Sequence, residues 1–311
     1  MSFAAVLAAL DLLDSPTASG AEVAAALHAA GVDEVEVVPL RGESGGTDVV
    51  RAVVPGTRGR RAGADAPTLG IVGRLGGVGA RPTHVGLVSD ADGAVAAIAC
   101  ALKLGRMRQR GDRLPGDVIL ATHVCPDAPL KPHDPVPFVG SPVDGALLNR
   151  EEVRPEMDAL LSIVTTRGNR VINHRGFAIS PTVKAGWILP VSRDLLTIQE
   201  QVTGRPPVTF PLAMQDLTPS SASLSRLNTI LEPAQVTDAP VVGVALTAEV
   251  PVPGSATGAS QPADIEAAVR FALEVAKAFG AGRCRFHDAR EWAELLRHYG
   301  PMTHLLTPGD A

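Results

Sequence analysis

Six prolines lie between Pro126 and Pro142, directly behind the apolar run Val118-Ile119-Leu120-Ala121. Proline fixes φ, lacks an N–H and pushes the residue before it away from the helical region, so no helix can cross this stretch. The run itself, bounded by Gly116 in front and Pro126 behind, is expected to form a short buried strand. The chain must therefore pass from a strand end into a stiff, irregular loop. His123, Cys125, Asp127, His133 and Asp134 lie on that strand end and loop. Ligands in open α/β sheets bind beyond the carboxyl ends of the strands. The loop is the expected floor of an active site.

Elsewhere, apolar runs alternate with segments of helical period. Residues 3–14 and 20–30 are expected to be helices, the second opened by the capping box Ser19 to Glu22 and stopped by Gly31. Glu34–Leu40, Asp48–Val54, Thr68–Val72 and His84–Val88 are strand candidates. From about Gly93 to Arg108, Val95, Ile98, Ala99 and Leu102 fall on one helical face, with acids at the start and bases at the end. Further helices are expected over Glu151–Leu161, Asp194–Val202, Ala222–Leu231 and Pro262–Phe279. Strands are expected over Ser162–Thr166, Val208–Met214 and Pro240–Leu246. Asp288 caps a last helix whose Trp292, Leu295, Leu296 and Tyr299 share a face, and residues 300–311 are expected to fray. With no repeat and no separating linker, the expected architecture is one α/β domain over residues 1–311. It is a three-layer sandwich around a central mixed, mainly parallel sheet.

Composition narrows the function. The formal net charge of −5 gives no field that gathers nucleic acid, so none is expected as a partner. Cys100, Cys125 and Cys284 are odd in number and widely spaced, which suits neither a disulfide framework nor a cysteine zinc site and fits a reducing cytoplasm. The apolar N-terminus is interrupted by Asp11 and Asp14 and is too short to span a bilayer, so neither a signal peptide nor a membrane partner is expected. The Gly-rich stretch Gly73–Gly79 lacks the Lys-Ser or Lys-Thr of a P-loop and fits a close backbone turn better than a phosphate cradle.

The chemistry concentrates in a few side chains. Asp90, His123, Asp127 and His133 each follow an expected strand end, and imidazole and carboxylate are the donors of a catalytic zinc site. A metal ion, zinc or manganese, held by these four would bring its bound water to a pKa near 7 and make it a nucleophile. They are the expected catalytic and metal residues, and no other cofactor is implied. Arg74, Asp92, Cys125, Asp134, Gln215 and Asp216 lie near them in the expected topology and are the candidate substrate contacts. Cys125 shares a strand face with His123, which makes it an alternative nucleophile. The competing structural account has the histidines hydrogen-bonded within a buried loop and Asp90 and Asp92 capping a helix. One of the apolar loops Pro135–Pro142 and Val250–Gly258 is expected to be covered by a second subunit, making a homo-oligomer.

The runs LGIVGRLGGVGARP, GLVSDADGA, THVCPDAPLKPHDPVPFVGSPVD and GVALTAEVPVPGSATGA resemble an uncharacterised bacterial family, a domain of unknown function. The order of elements is also similar to that of the co-catalytic zinc exopeptidases, the aminopeptidase and carboxypeptidase type. Asp90-Ala91-Asp92-Gly93 before an apolar helix looks like their bridging-Asp motif, and Val118–Asp127 occupies the place of their Glu-pair strand. The chain departs from that pattern at three places. Arg74-Leu75-Gly76 stands where His-x-Asp would fall, Cys125-Pro126-Asp127 replaces the Glu pair, and residues 247–260 contain no histidine. The resemblance implies a zinc-exopeptidase-like fold and a metal-dependent hydrolase of amide or peptide-like bonds, acting on a small-molecule or peptide-like substrate. The departures imply the alternative, a non-catalytic small-molecule-binding or assembly protein on a degenerate fold of that type.

Overall fold

A hairpin, four buried strands and the helices between them set the frame. The computed structural model of the chain describes residues 2–74, 77–79, 86–134, 136–166, 168–219, 226, 228–250 and 256–307. Helices α1 (Ser2–Leu13) and α2 (Gly20–Ala29) precede the antiparallel pair β1 (Glu34–Gly42) and β2 (Gly45–Val54). β3 (Leu69–Arg74), α3 (Asp92–Gln109) and β4 (Val118–Val124) follow, then the small hairpin β5 (Leu130–Lys131) and β6 (Phe138–Val139). α4 (Gly145–Glu152) leads to β7 (Ala159–Thr165), β8 (Gly176–Ile179), β9 (Val183–Lys184) and β10 (Trp187–Ile188). The chain ends through α5 (Arg193–Thr203), β11 (Val241–Thr247), α6 (Pro262–Gly280) and α7 (Ala289–Tyr299).

The main sheet runs β1-β2-β4-β3-β7-β11-β9-β10, with β8 also paired to β11. Its centre is parallel: β3 pairs β4 and β7 in parallel, and β7 pairs β11 in parallel. Antiparallel strands close both sides. This is the mixed sheet flanked by helices that the apolar runs imply. β3, β4 and β11 are buried at every residue, because strands covered on both faces need continuous rather than alternating apolar sequence. One face is covered by α1, α2, α3, α5 and α6. In α6, Ile265, Val269, Phe271 and Ala276 are all buried, and each of the larger ones contributes about 1.5–3 kcal/mol by leaving water. The other face carries a second core, in which Val72, Ile119, Leu160 and Ala245 of the sheet meet Val153, Phe210, Leu217 and Ile230 from less regular segments.

The start of α3 is fixed by its glycine. A Cβ on Gly93 would stand 2.5 Å from the Ile163 carbonyl oxygen and 2.6 Å from that of Arg74. The helix therefore sits on the carboxyl edge of β3 and β7 with backbone against backbone. The chain goes from β3 through α3 to β4 on one side, and β7 lies on the other side of β3. The direction of winding thus changes at β3, the position where such sheets open a crevice.

Several expected elements differ. The helix expected over Glu151–Leu161 is instead the end of α4 followed by β7, because Pro155 bars the helical conformation at Arg154 and the apolar run after it is buried in the sheet. Val208–Met214 makes one isolated bridge, Thr209 to Ile179, and then a 3-10 turn over Met214–Leu217; Pro206, Pro207 and Pro211 deny it a ladder. Of the strand expected at His84–Val88, residues 84–85 lie outside the described residues and Gly86–Val88 is not strand. The helix expected over Ala222–Leu231 falls largely outside the described residues; Thr229–Leu231 are turn, and a 3-10 turn follows over Glu232–Val236. In the tail, Thr303–Leu306 form a 3-10 turn and Leu306 packs into the second core.

Candidate functional site

Two of the residues singled out in the sequence end adjacent parallel strands. Arg74 is the last residue of β3 and His123 the last but one of β4; they are 6% and 2% exposed. Both are met by α4. Asp144 opens that helix by accepting from the Ala146 and Leu147 amides at 2.8 and 3.3 Å. Asn149 and Glu152, three residues apart, then share a helical face. Glu152 is wholly buried, and its two oxygens are divided. Oε1 accepts from His123 Nδ1 at 2.6 Å, and Oε2 accepts from Arg74 Nη1 at 3.1 Å.

Arg74 also donates to Asn149 Oδ1 through Nη1 and to Glu232 Oε2 through Nη2, the latter at 3.0 Å. Glu232 takes a further bond at Oε1 from Arg226 Nη1, 3.2 Å away. The result is a buried chain, His123–Glu152–Arg74–Glu232–Arg226, in which guanidinium and carboxylate alternate. Two carboxylates face two guanidinium groups, so the charges compensate within the cluster, as burial requires. Two of its buried atoms are left over, Arg226 Nη2 at one end and a ring nitrogen at the other. His123 Nε2 is buried and has no hydrogen-bond partner. In the tautomer that carries its proton on Nδ1 toward Glu152, the ring presents the Nε2 lone pair.

The remaining expected site residues take other positions. Asp90, buried, lies in the 3-10 turn Ser89–Ala91 before α3, where its carbonyl and that of Ser89 accept from Thr165 Oγ1 at 3.5 and 2.7 Å. Asp92, the first residue of α3, accepts from Ser260 Oγ at 2.5 Å. Cys125 is buried, and burial pushes its thiol up to about 11. Asp127, His133 and Asp134 are exposed; the His133 ring donates from Nδ1 to the Val136 carbonyl at 3.0 Å and rests 4.1 Å from the Phe138 ring. Gln215 is exposed. Asp216 is buried and serves the backbone, accepting from the Ala213 and Asn228 amides at 2.8 and 3.2 Å.

These positions bear on the expected metal. Among the described residues no three His, Cys, Asp or Glu side chains come together in a group that could hold one. His123 is closed off in the protein while Asp127 and His133 face solvent. The Nδ1 of His123 is already engaged by Glu152. The four expected ligands do not form such a group.

Asn149, Glu152, Glu232 and Arg226 had not been singled out from the sequence. A usable signal was present in Asp144 followed by Asn149-x-x-Glu152 and then Pro155: a capped helix of two turns with two polar residues on one face.

The sheet order and its coverage define an α/β protein of aminopeptidase-like fold. A tomato leucine aminopeptidase mutant is similar to it in structure, with a TM-score of 0.50 and 13% sequence identity over 87% of this chain. The chain spans 61% of that protein's length. At this identity the likeness concerns the fold alone. No curated protein matches the chain. It belongs to the family described as "Protein of unknown function (DUF1177)", whose model matches residues 39–309.

Proposed function

We propose that this protein hydrolyses an amide or peptide-like bond in a small substrate, with His123 as general base and Glu152 as the group that orients it. The observation that carries this is the His123 imidazole, anchored through Nδ1 to a buried carboxylate and with Nε2 unpartnered at the carboxyl edge of the sheet. A carboxylate-held imidazole with a free second nitrogen is the arrangement that takes a proton from an attacking nucleophile. Water adds to the carbonyl carbon as its proton passes to Nε2. The carbon–nitrogen bond then breaks, and the same proton goes to the departing amine. Arg74, Asn149 and Glu232 are positioning residues in this scheme: Arg74 holds Glu152, Asn149 and Glu232 hold Arg74, and none touches the reacting atoms.

A second reading has its own support. Arg74 is fully engaged by three acceptors and His123 is nearly sealed from solvent, which also suits a non-catalytic binding or assembly protein in which the cluster braces the sheet edge. The experiment that separates the two is turnover of a panel of dipeptides and N-acyl amino acids, followed by mass spectrometry with protein dialysed against a chelator and with untreated protein. The hydrolase reading expects cleavage of at least one compound in both preparations and a loss of about 10²–10⁴-fold in His123→Ala. Cleavage only before chelation would return a metal to the mechanism. No cleavage of any compound by a folded protein leaves the non-catalytic reading.

A further inference from the structure

The second place where chemistry gathers lies at the other edge of the sheet. Gly280 ends α6 against Gly116, which leads into β4, so the segment after α6 belongs to the amino edge of the parallel strands. There a cavity of about 530 Å³ opens between the stretch Leu189–Asp194, the connection Arg285–Asp288 and one face of α7. We propose that this cavity binds a small molecule with a flat, aromatic body and a carboxylate group. The inference is independent of the proposed hydrolase site.

The walls are held in place. Ser192 Oγ donates to the Arg285 carbonyl at 2.5 Å, Asp194 Oδ2 accepts from the Arg285 amide at 2.8 Å, and Thr182 Oγ1 donates to the Phe286 carbonyl at 2.6 Å. The Phe286 ring is anchored edge-on to Phe279, with ring centroids 5.4 Å apart. A pre-formed cavity of this volume is in the range of small-molecule sites, roughly 300–1,000 Å³.

Its lining is apolar on one side. Of the apolar stripe Trp292, Leu295, Leu296 and Tyr299 of α7, Trp292 and Leu295 line the cavity, and no residue of that helix is fully buried. Trp292 stands edge-on to His287 with centroids 6.2 Å apart, and Lys184 Nζ sits 5.5 Å from its ring. His287 Nδ1 is buried and unpartnered, and burial together with Lys184 pushes this ring below the ordinary histidine range, which keeps it uncharged. An aromatic body has two ring surfaces to pack against here, at low cost in side-chain entropy.

Charge selects the polar group. Two of the three acids lining the cavity are already used: Asp194 takes the Arg285 amide, and Asp288 caps α7 by accepting from the Glu291 and Arg290 amides, which hold its carboxyl below the usual carboxylate range; the third, Glu291, is exposed. Of the two lining arginines, only Arg285 has a partner. The Arg193 guanidinium makes no hydrogen bond or ion pair among the described residues, and Arg285 reaches Asp194 only at 3.7 Å with an exposed side chain. A guanidinium pair at the rim of an apolar cavity favours a carboxylate, which it can bind through charge-assisted, bidentate bonds.

The test is calorimetric titration of the full chain with naphthalene-1-carboxylate and, separately, with naphthalene-1-carboxamide. The expected result is saturable binding of the carboxylate and at least about tenfold weaker binding of the amide, the usual size of a lost charge-assisted contact. Arg193→Ala with Arg285→Ala should remove that preference while leaving amide binding unchanged. Trp292→Ala should weaken both compounds. The arginine variant alters only exposed side chains, so it decides the matter even if Trp292→Ala fails to fold. Absence of saturable heat at millimolar ligand, equal affinity for the two compounds, or a preference that survives the double substitution would overturn the proposal.

Discussion

His123 Nδ1 and Glu152 Oε1 are 2.6 Å apart, while Arg74 holds the other oxygen of the same carboxylate at 3.1 Å. One buried glutamate thus joins two strand ends to one helix. Replacing it by alanine leaves a guanidinium and an imidazole without their shared acceptor in a closed site. Glu152→Ala is expected to lower stability by about 3–5 kcal/mol, as when one partner of a buried pair is removed. Glu152→Gln keeps the shape and one accepting oxygen, and should cost less. Urea unfolding near neutral pH measures both; an alanine variant as stable as the wild type would sink the account of the network.

The helix that supplies Glu152 is short, so its cap carries weight. Asp144 is the N-cap of the eight-residue α4. Asp144→Ala should cost about 1 kcal/mol and Asp144→Asn a few tenths, since asparagine also caps well. If Glu152 works through His123, the alanine variant also reduces turnover by loosening α4, and the asparagine variant restores it. Equal stability of the two variants by urea titration would argue against the cap.

The three cysteines give a prediction with a definite pH window. Burial pushes the Cys125 thiol up to about 11 and the Cys284 thiol up to about 12 from an ordinary value of 9.0, and raises Cys100 as well. A folded-state pKa above the unfolded one means that the native protein keeps protons which the unfolded chain releases. The associated stability is fully present below pH 9 and is lost as pH rises through the folded values. Unfolding midpoints in urea should therefore fall progressively above pH 9. Below it, Ellman's reagent should find no reactive thiol until denaturant is added; rapid labelling of the native chain would contradict the buried, protonated state.

The fold was legible in the sequence where one physical signal dominated. Val118–Ala121 and Val241–Leu246 are apolar throughout because both faces are buried, and α3 and α6 show their faces through the 3.6-residue period. The site was only half legible. Arg74 and His123 follow from strand ends, but the helix expected over Glu151–Leu161 puts their partner Glu152 at its start, whereas it is the last residue of α4. Pro155 held the missing information. Asp216 looks like a ligand past a strand end, yet it accepts from the Ala213 amide beside its own turn and from the Asn228 amide further along the chain, a structural use that composition cannot distinguish from a catalytic one. Contacts of high sequence separation, such as Arg74 to Glu232, have no signature in a single sequence.

The two apolar loops, one of them expected at a subunit contact, meet each other: the Ala256 amide donates to the Pro137 carbonyl at 3.2 Å. Even so, Phe138 and Val250 remain 43% and 65% exposed. Self-association through this surface is the expectation. Light scattering at micromolar concentration should give a mass above 32.1 kDa for the wild type and a lower mass for Phe138→Asp. A wild-type monomer throughout that range would end the idea.

A large loss of stability is predicted at Gly93. A methyl group there would stand 2.5 Å from the Ile163 carbonyl oxygen, 2.6 Å from that of Arg74 and 2.9 Å from the Arg74 nitrogen. All three are backbone atoms of β3 and β7, which are fixed by their parallel ladder and cannot swing aside as a side chain would. To admit the methyl, α3 must lift from the sheet, and Val95, Ile98, Ala99 and Leu102 then lose their packing. Alanine is otherwise the better helix former by about 0.8–1.0 kcal/mol, so propensity alone predicts stabilisation. Overpacking typically costs about 1–3 kcal/mol where neighbours can adjust, and here they cannot. Gly93→Ala should therefore lower the melting temperature or prevent soluble expression, and Gly63→Ala serves as the comparison because open space surrounds that site. Its positive φ of 72° still makes alanine strained there, so the control itself should lose a little stability. Thermal unfolding followed by circular dichroism decides the order: a Gly93→Ala protein that melts at or above the Gly63→Ala protein would show that α3 does not seat on the sheet edge as described.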